Sequence, residues 1–308
     1  MNTLYMMIGL PASGKSTCAK EISQETGAQI VSSDEIRKEL WGSYEDREHN
    51  NETFSVVEDK ILEGLEKGDV IYDATNLNYK RRMNFLQRLK NIKTTAIFML
   101  TPYKECLRRN SIRQRKVPED AMQRMYFSID VPQYYEGFNY IEIHKEENCV
   151  ESFDKFFKKL WKVPQHNPHH TLTIGEHCFK TKELVVKKIE WHPGWSLKDD
   201  YTLMRAAEMH DIGKLATQTF INYKGERSDV AHYYGHEHVG AYIASLYVQE
   251  PGLLVPNSEE EMIIRLIRWH MLLHRPLSKR SIDKYIRLLG AKTWDQLLAL
   301  EWADSNAR

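Results

Sequence analysis

A loop near the amino terminus, Gly9-Leu10-Pro11-Ala12-Ser13-Gly14-Lys15-Ser16-Thr17, constrains the first half of the chain more than any other feature. It follows the apolar run Leu4-Tyr5-Met6-Met7-Ile8 and precedes a helical pattern, Cys18-Ala19-Lys20-Glu21-Ile22. Strand, loop and helix in that order are the setting that a G-x-x-x-x-G-K-[ST] phosphate loop requires. Gly9 and Gly14 let the backbone turn tightly, so that N–H groups from Ser13 to Thr17 can surround an anionic phosphate at a helix N-terminus. Lys15 can then reach the β- and γ-phosphates, and the Ser16 hydroxyl can hold Mg²⁺. The expected ligand is ATP or another nucleoside triphosphate with Mg²⁺; the alternative is a chance glycine-rich turn.

The rest of the first half supplies polar groups at strand ends. Ala28 to Val31 reads as a second strand, ending in Ser32-Ser33-Asp34-Glu35-Ile36-Arg37, where a serine or Asp34 could cap a helix. Such a helix puts Asp34 and Arg37 on one face at the carboxyl end of a strand, where open α/β sheets bind ligands. There a carboxylate can accept a proton from an attacking hydroxyl and an arginine can clamp an anionic acceptor; the alternative is a cap with a solvated ion pair. Asn51 to Lys67 is helical by period. Asp69 to Tyr72 is a third strand running into Asp73-Ala74-Thr75-Asn76-Leu77-Asn78, and Thr94 to Leu100 a fourth. Between Lys104 and Lys116 lie Arg108, Arg109, Arg113 and Arg115 against a single Glu105. That run is either a solvated helix face or an arginine-bearing helix that closes over a triphosphate and neutralises charge in the transition state.

A chain of 308 residues with 42% hydrophobic and 28% charged residues suggests two ordinary globular domains. Lys+Arg and Asp+Glu are both 43, so no global charge advertises a nucleic-acid partner, and any basic footprint is local. The four cysteines form no C-x-x-C pair, which argues against a zinc ribbon or a disulfide framework and fits a reducing compartment. No membrane span or signal peptide is visible, and the cytoplasm is the expected location. Of the 13 histidines only His49 and His144 precede residue 160. The proline-bearing stretch Trp161 to Pro168 marks the division, giving an α/β domain over 1–160 and an all-α domain over 161–308.

In the second half helical patterns run at roughly 173–189, 198–212, 235–248, 258–274, 279–289 and 292–303, and no convincing strand is visible. His177, His210, Asp211, His236, His270 and Asp304 are spread over five of these helices. Imidazoles and carboxylates from facing helices are how helical folds build metal centres, and this N/O set without thiolates suits Mn, Fe, Ni, Co or Zn. The alternative for any single histidine is a satisfied core residue.

Two resemblances follow. Gly9–Thr17, Ser33-Asp34-x-x-Arg37, Asp73-x-Thr75-Asn76-Leu77-Asn78 and Arg109-Asn110-Ser111-x-Arg113…Val117-Pro118 resemble, in that order, the kinase module of polynucleotide 5′-kinases over roughly residues 1–150. The resemblance implies that Lys15 and Ser16 hold the donor phosphates and Mg²⁺, and that Asp34 is general base for a 5′-hydroxyl. It further implies that Arg37 binds the adjacent phosphate, Asp73 orders the acceptor site, and Arg113, with Arg109, is the lid arginine. The D-x-D-x-T phosphatase motif often joined to this module is missing. The second half instead resembles the HD phosphohydrolase superfamily: His177, His210, Asp211 and Asp304 match its ligand set for one metal. His236 and His270 match the extra ligands of two-metal members, with Asp211 bridging, and Lys214 matches a lysine that contacts substrate phosphate. Gln165-x-Asn167-Pro168-x-His170 resembles the entry to HD domains attached to transfer-RNA nucleotidyltransferases, which would bring His170 to the substrate; the other histidines are expected on the surface or in packing.

Together these imply an enzyme that heals RNA or DNA ends, phosphorylating 5′-hydroxyls and removing 3′-phosphates or 2′,3′-cyclic phosphates for a ligase. Bacterial enzymes joining the two modules place the HD part first, the reverse of this chain. The competing expectation is a small-molecule or nucleoside kinase fused to an HD nucleotidase or phosphatase; a nucleotide-gated regulatory module is a third.

Overall fold

The computed structural model describes residues 1–46, 48–146, 150–167, 171–189 and 194–307. The chain forms two compact units. The first comprises Met1–Met125, Pro132–Glu147 and Glu250–Leu254; the second comprises Tyr126–Val131, Asn148–Gln249 and Val255–Arg308.

The first unit is a parallel sheet flanked by helices. Its elements are β1 (Thr3–Ile8), α1 (Lys15–Thr26), β2 (Gln29–Ser32), α2 (Ser33–Trp41), α3 (Asn50–Lys67) and β3 (Val70–Asp73), then α4 (Tyr79–Leu86), β4 (Lys93–Leu100), α5 (Tyr103–Ile112), α6 (Glu119–Tyr126) and β5 (Tyr140–Lys145). The strands lie in the order β2-β3-β1-β4-β5, all parallel, and the short strand Gly252–Leu253 pairs antiparallel with β5. β1 is central and reads as a nearly continuous apolar run because both of its faces are covered. Met7, Ile71 and Ile97 pack with Cys18, Ala19 and Ala28, seating α1 against the sheet. From β1 the chain moves first to β2 and β3 on one side and then to β4 and β5 on the other. The crevice at that switch lies at the strands' carboxyl ends, where the glycine loop emerges.

The second unit is helical: α7 (Phe153–Leu160), α8 (Ile174–Ile189), α9 (Leu197–Met209), α10 (Lys214–Thr217), α11 (His236–Val248), α12 (Glu259–Trp269), α13 (Lys279–Leu289) and α14 (Ala291–Asn306). One addition departs from the all-α expectation: a hairpin of β6 (Thr219–Ile221) and β7 (Arg227–His232) between α10 and α11. β6 is only three residues long, too short for alternation to show in the sequence. The helical pattern expected over 258–274 ends as α-helix at Trp269 and tightens to a 3₁₀ turn at His270–Leu272. Among the described residues no helix is long and apolar enough to cross a membrane.

Two candidate active sites

In the first unit the glycine loop carries the chain from β1 into α1. Gly14 caps α1 at φ +98°, a conformation that residues with a Cβ rarely adopt, and so sets the direction in which the helix start faces. The loop is tied from behind: the Gly9 N–H donates to the Thr75 carbonyl at 3.1 Å, and Thr101 Oγ1 donates to the Ser13 carbonyl at 3.1 Å. The Ser13 N–H is used inside the loop, donating to the Leu10 carbonyl at 3.2 Å. Gly9 and Ser13 are therefore buried and shape the loop, whereas Gly14, Lys15, Ser16 and Thr17 line an adjoining cleft of about 640 Å³. Burial pulls the Lys15 ammonium down to about 8 against the attraction of Asp73. Burial also raises the carboxyl of Asp73, at the end of β3, while the Ser16 hydroxyl and the Lys15 ammonium hold it down.

Across the cleft, Ser32 caps α2, which begins at Ser33 and puts Asp34 in its first turn. Asp34 Oδ1 accepts from Arg37 Nη1 at 3.0 Å, and Oδ2 accepts from Arg115 Nη2 at 2.8 Å. Arg37 is buried; its other arm donates to Asn50 Oδ1 at 3.1 Å, and its Nε, shut off from solvent, has no hydrogen-bond partner among the described residues. Arg113 caps the C-terminal end of α5 and lines the cleft with Arg109 and Arg115. Arg109 is shared with Glu105, at 2.7 Å, and Glu146. Arg108 pairs with Glu105 and faces solvent, so the basic run divides between a solvated face and the cleft. Arg115 was not among the expected site residues. Membership of the run was its only signal, because nothing local shows which arginine turns inward.

In the second unit six expected side chains meet in the core. His177 Nε2 lies 2.9 Å from Asp304 Oδ1 and 3.3 Å from both Asp211 Oδ2 and His210 Nε2. His236 Nε2 lies 3.3 Å from Asp211 Oδ1 and 3.2 Å from His270 Nε2. Two groups of possible ligands result, His177–His210–Asp211–Asp304 and Asp211–His236–His270, which share Asp211 through its two oxygens. The close approach that builds this centre depends on Gly213, where a Cβ would sit 2.0 Å from the His236 carbonyl oxygen.

Whether these residues fit a metal can be tested on their outward-facing nitrogens. The Nδ1 atoms of His177, His210, His236 and His270 lie 2.7–2.8 Å from the carbonyls of Ala307, Ala207, Tyr233 and Ile267. A carbonyl only accepts, so each Nδ1 carries the proton and each Nε2 is left to face the centre. Paired Nε2 atoms at 3.2–3.3 Å, lone pair toward lone pair, call for a cation between them. Asp211 Oδ2 is buried and makes no aligned hydrogen bond, although the Lys214 ammonium is 2.5 Å away. Burial opposes a charge on His177, yet Asp211 and Asp304 overcome it and raise its pKa to about 9, so the carboxylates draw positive charge to the place where a metal would otherwise supply it. Burial, with His236 and His210 beside it, drives His270 well down, keeping it neutral. The residues fit a divalent metal.

A cavity of about 390 Å³ opens on the centre, lined by Asp211, Lys214, His236 and Asp304 together with Tyr233 and His274. Lys214 Nζ donates to Gln165 Oε1 at 2.9 Å, and Asn167 also lines the cavity, so the expected entry segment does reach the site; His170 lies outside the described residues. His274, expected on the surface or in packing, holds Asp304 Oδ2 at 2.9 Å from its Nε2. Its signal was its position four residues beyond His270.

Residues 4–132 match the family model for the AAA domain, and residues 174–298 match that for the HD domain. The chain joins a P-loop kinase domain of the AAA type to an HD domain. Over 142 residues it is 32% identical to the L-seryl-tRNA(Sec) kinase of Methanococcus maripaludis, a stretch covering 42% of this chain and 53% of the relative. The chain thus spans about half the length of this curated relative. Among solved structures, a sugar kinase from Janibacter sp. HTCC2649 superposes with a TM-score of 0.38 at 14% identity, over 47% of this chain and 86% of that one. The Pnkp1/Rnl/Hen1 complex superposes with a TM-score of 0.33 at 21% identity, over 39% of this chain and 42% of the other.

Proposed function

We propose that the protein heals nucleic-acid ends: the kinase domain phosphorylates 5′-hydroxyls and the HD domain removes 3′-phosphates, and 2′,3′-cyclic phosphates, from RNA or DNA. The observation that carries this reading is the single cleft in which the phosphate loop faces Asp34, itself held by Arg37 and Arg115. A carboxylate flanked by guanidiniums suits an acceptor that offers a hydroxyl next to a phosphate.

In the kinase domain, Asp34 accepts the proton of the 5′-hydroxyl as its oxygen bonds to the γ-phosphorus. The bond from that phosphorus to the β–γ bridging oxygen breaks, and the nucleoside diphosphate leaves with the electron pair. Lys15 and Arg113, with Arg109, offset the charge that spreads over the transferring oxygens. Arg37 holds the neighbouring acceptor phosphate, Asp73 helps order the acceptor site, and Ser16 would hold Mg²⁺.

In the HD domain, His177, His210, Asp211 and Asp304 would hold one divalent transition metal, and Asp211, His236 and His270 a second. When bound, such ions acidify water and polarise phosphoryl oxygens. The Lys214 ammonium, at the cavity wall, binds the phosphate being released, and His274 keeps Asp304 oriented. Ends left as 5′-phosphate and 3′-hydroxyl are those that a ligase joins.

The test is incubation with γ-labelled ATP and 5′-hydroxyl RNA or DNA, alongside 3′-phosphorylated strands; absence of label transfer sinks the kinase reading. Lys15→Ala and Asp34→Ala are expected to abolish transfer and spare hydrolysis, with the reverse for His210→Ala and Asp211→Ala. A second reading is favoured by the relative whose name gives L-seryl-tRNA(Sec) as what it phosphorylates. There the kinase acceptor is a small or RNA-borne hydroxyl other than a 5′ end, and the HD domain is a nucleotidase. A steep fall of acceptor affinity with salt separates a polynucleotide from a nucleoside.

A further inference from the structure

A second cavity, of about 460 Å³, lies in the kinase domain among residues of α3 and α4, with Met6 of β1 and Tyr72 of β3 in its lining. It shares Phe54, Thr75 and Arg81 with the phosphate-loop cleft, so the two chambers have a wall in common. No residue from Pro11 to Thr17 lines it, which separates it from the donor phosphates. Its size falls within the range of small-molecule sites, and half of its lining is aromatic or amide, with Glu58 its one carboxylate. Phe54, Tyr72 and Phe85 are aromatic, the last two set edge to face with centroids 5.9 Å apart. Asn51 and Asn84 bring exposed side-chain amides to the same chamber, and Arg81 adds an exposed guanidinium on the shared wall.

Aromatic faces bordered by amides take a flat heterocycle, which stacks on the rings and hydrogen-bonds along its edge. A cation at the boundary suits the phosphate that follows it. We propose that this chamber seats the terminal nucleobase of the acceptor strand, leaving the sugar hydroxyl in the part of the cleft that both chambers border. The proposal rests on the reading above, in which the acceptor is a nucleic-acid end, and adds that the enzyme grips that end by its base.

The experiment fills the chamber from an exposed position. Ser55 lies on α3 and lines only the second cavity, so Ser55→Trp puts an indole there without touching the phosphate loop. An ATP-dependent rise in thermal midpoint reports that the variant is folded and its donor loop intact. With an ordinary 5′-hydroxyl oligonucleotide, KM is expected to rise tenfold or more while kcat stays within about twofold. The unmodified protein is expected to show a similar rise toward an oligonucleotide whose terminal nucleotide is abasic, and Ser55→Trp to add nothing further with that strand. Asn84→Ala, which trims one amide on α4, is expected to raise KM severalfold for some terminal bases and not others. Equal KM for abasic and ordinary ends, or a Ser55→Trp variant with unchanged KM, overturns the proposal while leaving the kinase function standing. Absence of transfer to every 5′-hydroxyl strand overturns that function, and the nucleobase assignment with it.

Discussion

Asp304 presents one carboxylate oxygen to His177 and the other to His274, each at 2.9 Å, so its aim depends on a histidine that holds no metal in the proposed centre. Groups that orient a metal ligand matter nearly as much as the ligand itself. His274→Ala is therefore expected to lower metal affinity and phosphohydrolase activity about 10- to 100-fold; calorimetric titration of the metal-free protein checks this, and unchanged affinity contradicts it. A second residue-scale expectation concerns His144. Hydrogen bonds to Cys18 and Glu142, outweighing burial, raise its pKa from 6.5 to about 10. With the folded value above the unfolded one, its stabilising contribution is complete below about pH 6.5 and disappears as pH rises through 10. The thermal midpoint should decline from pH 7 to 10, and His144→Gln should flatten that decline.

At the scale of elements, α4 is anchored by a buried bidentate pair. Arg82 Nε and Nη2 donate to the two oxygens of Glu136 at 2.6 and 2.7 Å, and Nη1 donates to the Asn76 carbonyl at 2.7 Å. The pair is shut off from solvent and also braces the loop after β3. Arg82→Ala, which removes the cation paired with the buried Glu136 carboxylate, is expected to reduce stability by about 3–5 kcal/mol; denaturant unfolding measures it. In the sequence this arginine was one base among several on a basic helix, and its partner lies 54 residues away. Elements with long apolar periods were legible, including β1, α3 and the helices of the HD domain. β5 carried the right signal, alternating buried Ile141 and Ile143 with outward polar residues, but it was not read as a strand. That His177, His210, Asp211, His236, His270 and Asp304 come together was legible because each belongs to a long helix or its immediate end. Arg115 was not, since its direction is fixed by how the chain leaves α5 at Arg113, in extended conformation.

For the whole molecule, the two proposed chemistries ask for different cations. Four imidazoles and two carboxylates favour transition metals, whereas a loop serine beside triphosphate oxygens suits Mg²⁺. Protein treated with chelator and returned to buffer containing only Mg²⁺ is expected to recover phosphoryl transfer and not hydrolysis; adding Mn²⁺ or a similar ion should restore the second activity. The same ion, at about 100 times its Kd, stabilises the folded state by about 2.7 kcal/mol, and the thermal midpoint reads it. That the chain joins two domains was legible from the order of its motifs and the crowding of histidines after residue 160. The contribution of residues 250–254 to the first unit and of 126–131 to the second was not, because contacts between distant segments leave no local period.

The grip of Arg115 on Asp34 has a kinetic consequence. Both oxygens of the proposed base are engaged, one by Arg37 and one by Arg115, whose guanidinium also lies 4.5 Å over the Tyr44 ring. A triphosphate in the loop offers Arg115 a more highly charged partner within the same cleft, and its departure exposes the carboxylate to an incoming hydroxyl. Substrates would then add in sequence, donor before acceptor, with each strengthening the binding of the other. A non-hydrolysable ATP analogue should tighten the 5′-hydroxyl strand severalfold in the intact protein, and Arg115→Ala should erase that coupling by letting the strand bind equally well with or without the analogue.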